Sequence, residues 1–356
     1  MIHALALQLV IGLVGITLSS TLVPAANPPR RVEVRVSVTT DGPPFPAGTY
    51  VAMSAPSEAH QAIIDAPTDA NGHVVLIGEY PAELTQVVVS VPTIVFWGPE
   101  QQMVAKDEAA KLADRAFSLP PAKFITLQPG QEVYTVVFFA PEAITVRGRA
   151  LDDQGQPLSV SADRAGMINI RFDSDDDAGL FEVFGVPKGQ DSFIFLMTDR
   201  PEKVIVWLTA AQTGGELDLG DITLPAVTND ATIEIGVTGR ETVRHDDGMQ
   251  RNTVTLIRED GRAAYTFEVT EQGGIAHAPP GLYPGPPKVQ AGRYYMVPGM
   301  ANTSDSSLKA LRLIRAGQGA LLDAASVPVI EPVSNQTTAG TIDLSAVQQI
   351  IDGLPG

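Results

Sequence analysis

The chain has 356 residues and a formal charge of −17, from 41 acidic and 24 basic side chains. That balance repels phosphate backbones and anionic lipid surfaces, and nucleic acid is excluded as a partner class. The absence of cysteine excludes disulfides, thiolate zinc sites and thiol nucleophiles, leaving packing to stabilise two or three domains of about 100 to 150 residues each.

From Ala4 to Val23 no charged side chain occurs, and Leu5 to Leu18 is apolar apart from Gln8, Gly12, Gly15 and Thr17. Small residues follow, and Val23-Pro24-Ala25 or Pro24-Ala25-Ala26 offers a signal-peptidase site. Residues 1–25 therefore read as a signal peptide; the alternative is an N-terminal membrane anchor, since about 20 apolar residues span a bilayer. The signal reading sends the mature chain to the periplasm, the cell surface or the medium, with no membrane span after removal.

Arg31 to Thr39 alternates strictly, with Val32, Val34, Val36 and Val38 on one face and polar residues on the other. Period two of this kind predicts a strand with one face on a core and one in water. Thr49 to Met53, His73 to Ile77, Thr85 to Val91 and Val133 to Phe139 follow as strands bounded by turn residues. Glu100 to Phe117 has helix-favouring composition and predicts a helical insertion in a first sandwich spanning 30–140.

A second unit, 142–225, opens with Ile144 to Leu151. It continues through Ile168 to Phe172, Leu180 to Phe184, Phe193 to Met197 and Val204 to Leu208, and closes on Leu219 to Leu224. A third, 228–356, runs from Thr232 to Val237 through Thr253 to Arg258, Tyr265 to Val269 and Arg293 to Val297 to Thr341 to Leu344. Ser345 can cap a short C-terminal helix carrying Val347, Ile350 and Ile351. The recurrent openings and closings are the mark of a repeated domain, with boundaries near Pro141 and Pro225. Lys309, Arg312 and Arg315 would share a face if their stretch were helical, and read as a solvated face.

Three phrases of the middle unit, RGRALDDQGQPL, SDDDAGLFEVFGVPKG and GELDLGDITL, resemble carboxypeptidase regulatory-like domains. The first unit shares the hairpin TDANGHVVLIG, and the third shares AGRYYMVPG and GTIDL more loosely. The resemblance implies a transthyretin-like sandwich and supplies no active site to carry over. The expected fold is all-β: tandem Ig-like or transthyretin-like β-sandwich domains with one short helical insertion.

Candidate chemistry is sparse. Asp173, Asp175, Asp176 and Asp177 gather four carboxylates in five residues, which reads either as an acidic turn before Ala178-Gly179 or as a calcium loop. His245-Asp246-Asp247 joins imidazole to carboxylates ahead of Gly248, the pattern of an exposed loop or, alternatively, of a catalytic or metal site. Of Trp97, Trp207, Tyr283, Tyr294 and Tyr295, the aromatics that could stack on a sugar, most read as core, Trp207 on a buried strand, and Tyr283 in the PPGLYPGPP loop is the best exposed candidate. No nucleophile elbow, phosphate loop or paired-histidine metal motif occurs.

No catalytic residue and no cofactor is expected, calcium apart. The sequence reads as a non-catalytic exported scaffold, adhesion or protein-interaction module of the cell envelope. Its expected partner is an extracytoplasmic protein or a glycan. The alternatives are a carbohydrate-binding module and a hydrolase whose site is assembled from distant loops. Mass spectrometry of the native protein should find an N-terminus at or next to Ala26; recovery of the full-length chain in membranes would favour the anchor.

Overall fold

The structure, a computed structural model, describes residues 28–55, 63–91, 108–120, 122–164, 178–198, 200–239, 253–270, 272–277, 286–299 and 305–355. In the first unit, β1 (Arg30–Thr39), β2 (Tyr50–Ser54), β3 (Ile64–Pro67), β4 (His73–Tyr80) and β5 (Gln86–Ser90) precede the helix α1 (Glu108–Ala116). β6 (Lys123–Thr126) and β7 (Val133–Phe139) complete it. One sheet has the order β4-β1-β7, the other β3-β2-β5-β6. The alternating valines of β1 face inward and meet Val51, Met53, Val87 and Val89 across the sandwich.

The middle unit consists of β8 (Ala143–Leu151), β9 (Ser161–Arg164), β10 (Leu180–Pro187), β11 (Ser192–Met197), β12 (Glu202–Leu208) and β13 (Leu217–Thr223). The third contains β14 (Ala231–Thr238), β15 (Thr253–Arg258), β16 (Ala263–Val269), β17 (Ile275–His277), β18 (Lys288–Val289) and β19 (Tyr294–Pro298). It continues through α2 (Asp305–Arg315), α3 (Gly319–Ala324), β20 (Val329–Ile330), β21 (Thr337–Asp343) and α4 (Leu344–Gly353). The molecule is all-β, as the alternation predicts.

The same pairing occurs three times. Each unit's first strand lies in the centre of a three-stranded sheet, antiparallel to one partner and parallel to the unit's last strand. The orders are β4-β1-β7, β10-β8-β13 and β18-β14-β21. A parallel partner cannot follow through a tight hairpin, and each chain crosses to the opposite sheet before returning.

A glycine recurs with it. The carbonyls of Gly72, Gly179 and Gly273 accept the amides of Val38, Ala150 and Val237, each the penultimate residue of its unit's first strand. All three glycines have positive φ, at 74°, 66° and 83°. A Cβ on Gly179 would lie 2.4 Å from the Ala150 carbonyl oxygen, and one on Gly72 2.6 Å from that of Val38.

The opposite sheets of the middle and third units are one. β12 pairs antiparallel with β16, through Glu202↔Tyr265, Lys203↔Ala264 and Val204↔Ala263, giving an eight-stranded sheet whose path runs β20-β19-β15-β16-β12-β11-β9, with β17 beside β16. β11 is accordingly buried on both sides. Ile194 and Leu196 face the middle core, while Phe193 and Phe195 join the core of the third unit. Burial on both faces explains why SFIFLM is a continuous apolar run rather than an alternating one.

Helices depart from expectation. α1 covers only the end of the anticipated insertion; residues 100–107 lie outside the described residues. α2 and α3, which the strand pattern did not anticipate, pack with α4 in the third core through Leu308, Leu311, Leu322, Val347 and Ile351. α4 is capped by Asp343 rather than Ser345, its carboxylate accepting the Ala346 amide at 2.9 Å. The anticipated strand Ile168 to Phe172 lies outside the described residues.

Gly179→Ala should cost about 2–4 kcal/mol in chemical denaturation, since the methyl meets a carbonyl in a left-handed conformation. Gly155→Ala, at φ 80° with nothing within 4 Å, should cost about 1 kcal/mol. Equal losses would mean that the close approach is unimportant.

Candidate functional site

Asp173, Asp175, Asp176 and Asp177, His245 to Asp247, and Tyr283 all lie outside the described residues. Among the described residues no group of three or more His, Asp or Glu side chains could hold a metal ion. The polar groups that do converge lie at the two joints between units.

At the first joint Arg164 is 1% exposed. Its guanidinium donates to the Gly185 carbonyl and, at 3.5 Å, to that of Phe117 in the first unit. α1 contributes from the other side. Ala113 and Phe117 enter the first core, while Arg115 lies 4.8 Å above the Phe184 ring of the middle unit. Phe184 reaches that position because β10 is irregular between Val183 and Val186. Glu142 adds a third tie, its amide donating to Asp41 at 2.8 Å and its carboxylate accepting Lys188 at 2.8 Å.

At the second joint Glu202, 3% exposed, sits on β12 where the two units share their sheet. Asn229, in the connection to β14, donates its amide to Glu202 at 2.8 Å and accepts the Tyr265 hydroxyl at 2.8 Å. The Tyr265 hydroxyl in turn accepts the Gln290 amide at 3.1 Å, and Tyr294 donates to the Gln290 carbonyl at 2.9 Å. Arg258 reaches Gln290 Oε1 at 2.9 Å and forks onto Asp260 at 2.8 and 2.7 Å. One continuous network thus runs from the middle unit into the third.

Its electrostatics fit a structural role. Burial pushes the Tyr265 hydroxyl up, and the Tyr294 hydroxyl up to about 12, so both phenols stay neutral donors at ordinary pH. Burial raises the Asp260 carboxyl, but hydrogen bonds from Arg258 and the Arg262 amide outweigh it and the net shift is downward. Burial lowers the Lys203 ammonium, against the pull of Asp163. Nothing in the network pairs a nucleophile with a base.

Trp207 is half-buried where a buried strand residue was expected. Its ring lies tilted against Phe193 at 4.7 Å, its Nε1 donates to the Gly261 carbonyl at 2.9 Å, and Arg315 lies 5.4 Å above it. Lys309 donates to the carbonyls of Asp352 and Leu354 at the end of α4. The expected basic face is therefore helical, and two of its three cations are engaged within the fold. Tyr294 and Tyr295 are core residues, as expected.

The outer faces of the three equivalent sheets differ. In the middle unit the ion pairs Arg147–Glu182 at 2.6 Å and Arg149–Asp221 at 2.9 Å dominate the face, with Leu180, 51% exposed, beside Arg149. In the third the face carries Glu234, Gly236, Thr238, Ala339 and Thr341. In the first it carries Val75, Ile77, Val133, Val137 and Phe139, between 41% and 53% exposed. These flank the paired column of Glu33 and Arg35, 2.9 Å apart.

Asn229→Ala should destabilise the protein by about 2–4 kcal/mol, because it strips partners from a buried carboxylate and a buried phenol together. Glu202→Gln keeps an oxygen acceptor and should cost about 1 kcal/mol. Urea titrations of both variants check this; a cost for Asn229→Ala below about 0.5 kcal/mol would place it among ordinary surface changes.

No family model matches the chain, and no curated protein matches it. Among solved structures the chain is similar to the Bacillus anthracis TIE protein, at 9% identity and a TM-score of 0.22, covering 88% of this chain and 50% of that one. It thus spans half of that protein's length. It is also similar to BcpA, the major pilin subunit of Bacillus cereus, at 13% identity and a TM-score of 0.21, covering 88% of this chain and 99% of that one. A third is the shaft pilin SpaA from Lactobacillus rhamnosus GG, at 8% identity and a TM-score of 0.21, covering 56% of this chain and 98% of that one. Among the described residues no helix is long and apolar enough to cross a membrane. The all-β class stands on the chain's own sheets.

Proposed function

We propose that this chain is a non-catalytic scaffold and adhesion module of the cell envelope, exported and built from three transthyretin-like units at 30–140, 142–225 and 228–356. The middle unit is proposed as a carboxypeptidase regulatory-like domain. The observation that carries the scaffold reading is the shared sheet: β12 and β16 splice two units into one body, with the Glu202-Asn229-Tyr265 chain buried beside the splice. A hinge would need a joint with few buried contacts, and this one has buried polar groups that lose their partners on opening.

Adhesion is supported by the outer face of β4-β1-β7. Its two columns carry five exposed large apolar residues where the equivalent faces carry mainly ion pairs or small and charged residues, and exposed apolar surface beside polar groups marks interaction sites. The calcium reading of Asp173, Asp175, Asp176 and Asp177, and glycan stacking by Tyr283, stay proposals for loops attached to this frame.

Broad activity profiling of the mature protein should return no turnover, and turnover abolished by His245→Ala would replace the scaffold with a hydrolase. Phe139→Glu and Val137→Glu, at exposed positions, should leave the melting temperature unchanged while removing binding to extracytoplasmic protein. Glycan-array binding lost in Tyr283→Ala would instead favour the carbohydrate-binding reading.

A further inference from the structure

We infer that the fold is built to bear tension along the chain, with the parallel ladder between each unit's first and last strands as the element that resists. This rests on the scaffold reading and adds to it a mechanical function. The argument is topological. When a unit is pulled by its two ends, force enters at the N-terminal end of its first strand and leaves at the C-terminal end of its last. Because those strands run parallel, the two points lie at opposite ends of one ladder. The pull then acts along the strands and loads all the rungs together. Antiparallel first and last strands would place both points at the same end, where rungs break one at a time.

The three ladders differ in length. β1 and β7 share seven aligned positions, Glu33↔Val133 to Thr39↔Phe139, and β14 and β21 share seven, Thr232↔Thr337 to Thr238↔Asp343. β8 and β13 share five, with a shift between Asp218 and Asp221. The middle ladder is the shortest of the three, and its unit's other sheet is the one it shares with the third unit through β12 and β16. A second path for force thus runs beside the shortest ladder.

The exit points are also fastened. The amide following β7, of Ala140, donates to the Thr39 carbonyl at 2.8 Å, and the amide following β13, of Leu224, donates to that of Leu151 at 2.8 Å. In the third unit α4 follows β21 directly, and Lys309 of α2 holds its C-terminal carbonyls at 2.5 and 3.1 Å. Every exit in line with a ladder is tied to the unit it leaves.

Single-molecule pulling tests this, since forced unfolding reads the barrier along the pulled coordinate. The chain contains no cysteine, and introduced pairs therefore set the attachment points uniquely in the full chain. Handles at Pro28→Cys and Pro141→Cys load the β1–β7 ladder along its length. Handles at Thr40→Cys and Pro141→Cys pull the adjacent ends of the same strands apart. Melting temperatures matched to the parent chain establish that both variants fold. At one loading rate, the lengthwise pair should unfold the first unit at several-fold higher force. Equal forces would overturn the load-bearing inference and leave the scaffold reading standing. Turnover lost in His245→Ala would overturn the scaffold reading without changing either force.

Discussion

Each unit is organised by the double hydrogen bonding of its first strand. β1, β8 and β14 each have an antiparallel neighbour on one side and the unit's last strand, parallel, on the other. No element can be completed until the chain has crossed the sandwich and returned, so first and last strands are held together by everything between them. The glycines at 72, 179 and 273 belong to the same constraint. Each brings its carbonyl against the end of the first strand in a conformation that a side chain resists.

The joints follow from how the remaining surfaces are covered. β11 and β12 present apolar groups on both sides, and the outer side would be left wet in an isolated domain. Pairing β12 with β16 continues the sheet, and the third unit covers that side. The same step buries Glu202, whose desolvation is offset by Asn229 and Arg200. Arg164 plays the corresponding part at the first joint, satisfying carbonyls of two units with one guanidinium. Each joint thus carries a buried polar tie between the units it connects.

With the joints closed, the outer sheet faces become the surfaces free to diverge. Ion pairs cover the middle face and small residues the third, each suited to water. The first face keeps exposed valine, isoleucine and phenylalanine in two columns. Burying such residues is worth roughly 1.5–3 kcal/mol apiece when complete, so this face holds apolar surface that the other two faces largely lack.

The sequence by itself determined the strands whose pattern reports one wet and one dry face. Val32 to Val38 is found where alternation puts it, Val133 to Phe139 is a strand where its bounding turn residues put one, and the matched hairpins at Gly72 and Gly179 are equivalent in space. The third such glycine, Gly273, has no counterpart in flanking sequence; the match is made by its carbonyl, which carries no sequence signature. α2 leaves a weak trace, since its apolar residues Leu308, Leu311 and Ile314 are interleaved with cations, of which Lys309 and Arg315 are engaged within the fold. Only the tertiary structure decided that the middle and third units share a sheet, because β12 pairs with β16 across about sixty residues and strand pairing leaves no periodic trace in either partner. It also decided which of the three equivalent faces stays apolar in water, a property of register and burial rather than of composition.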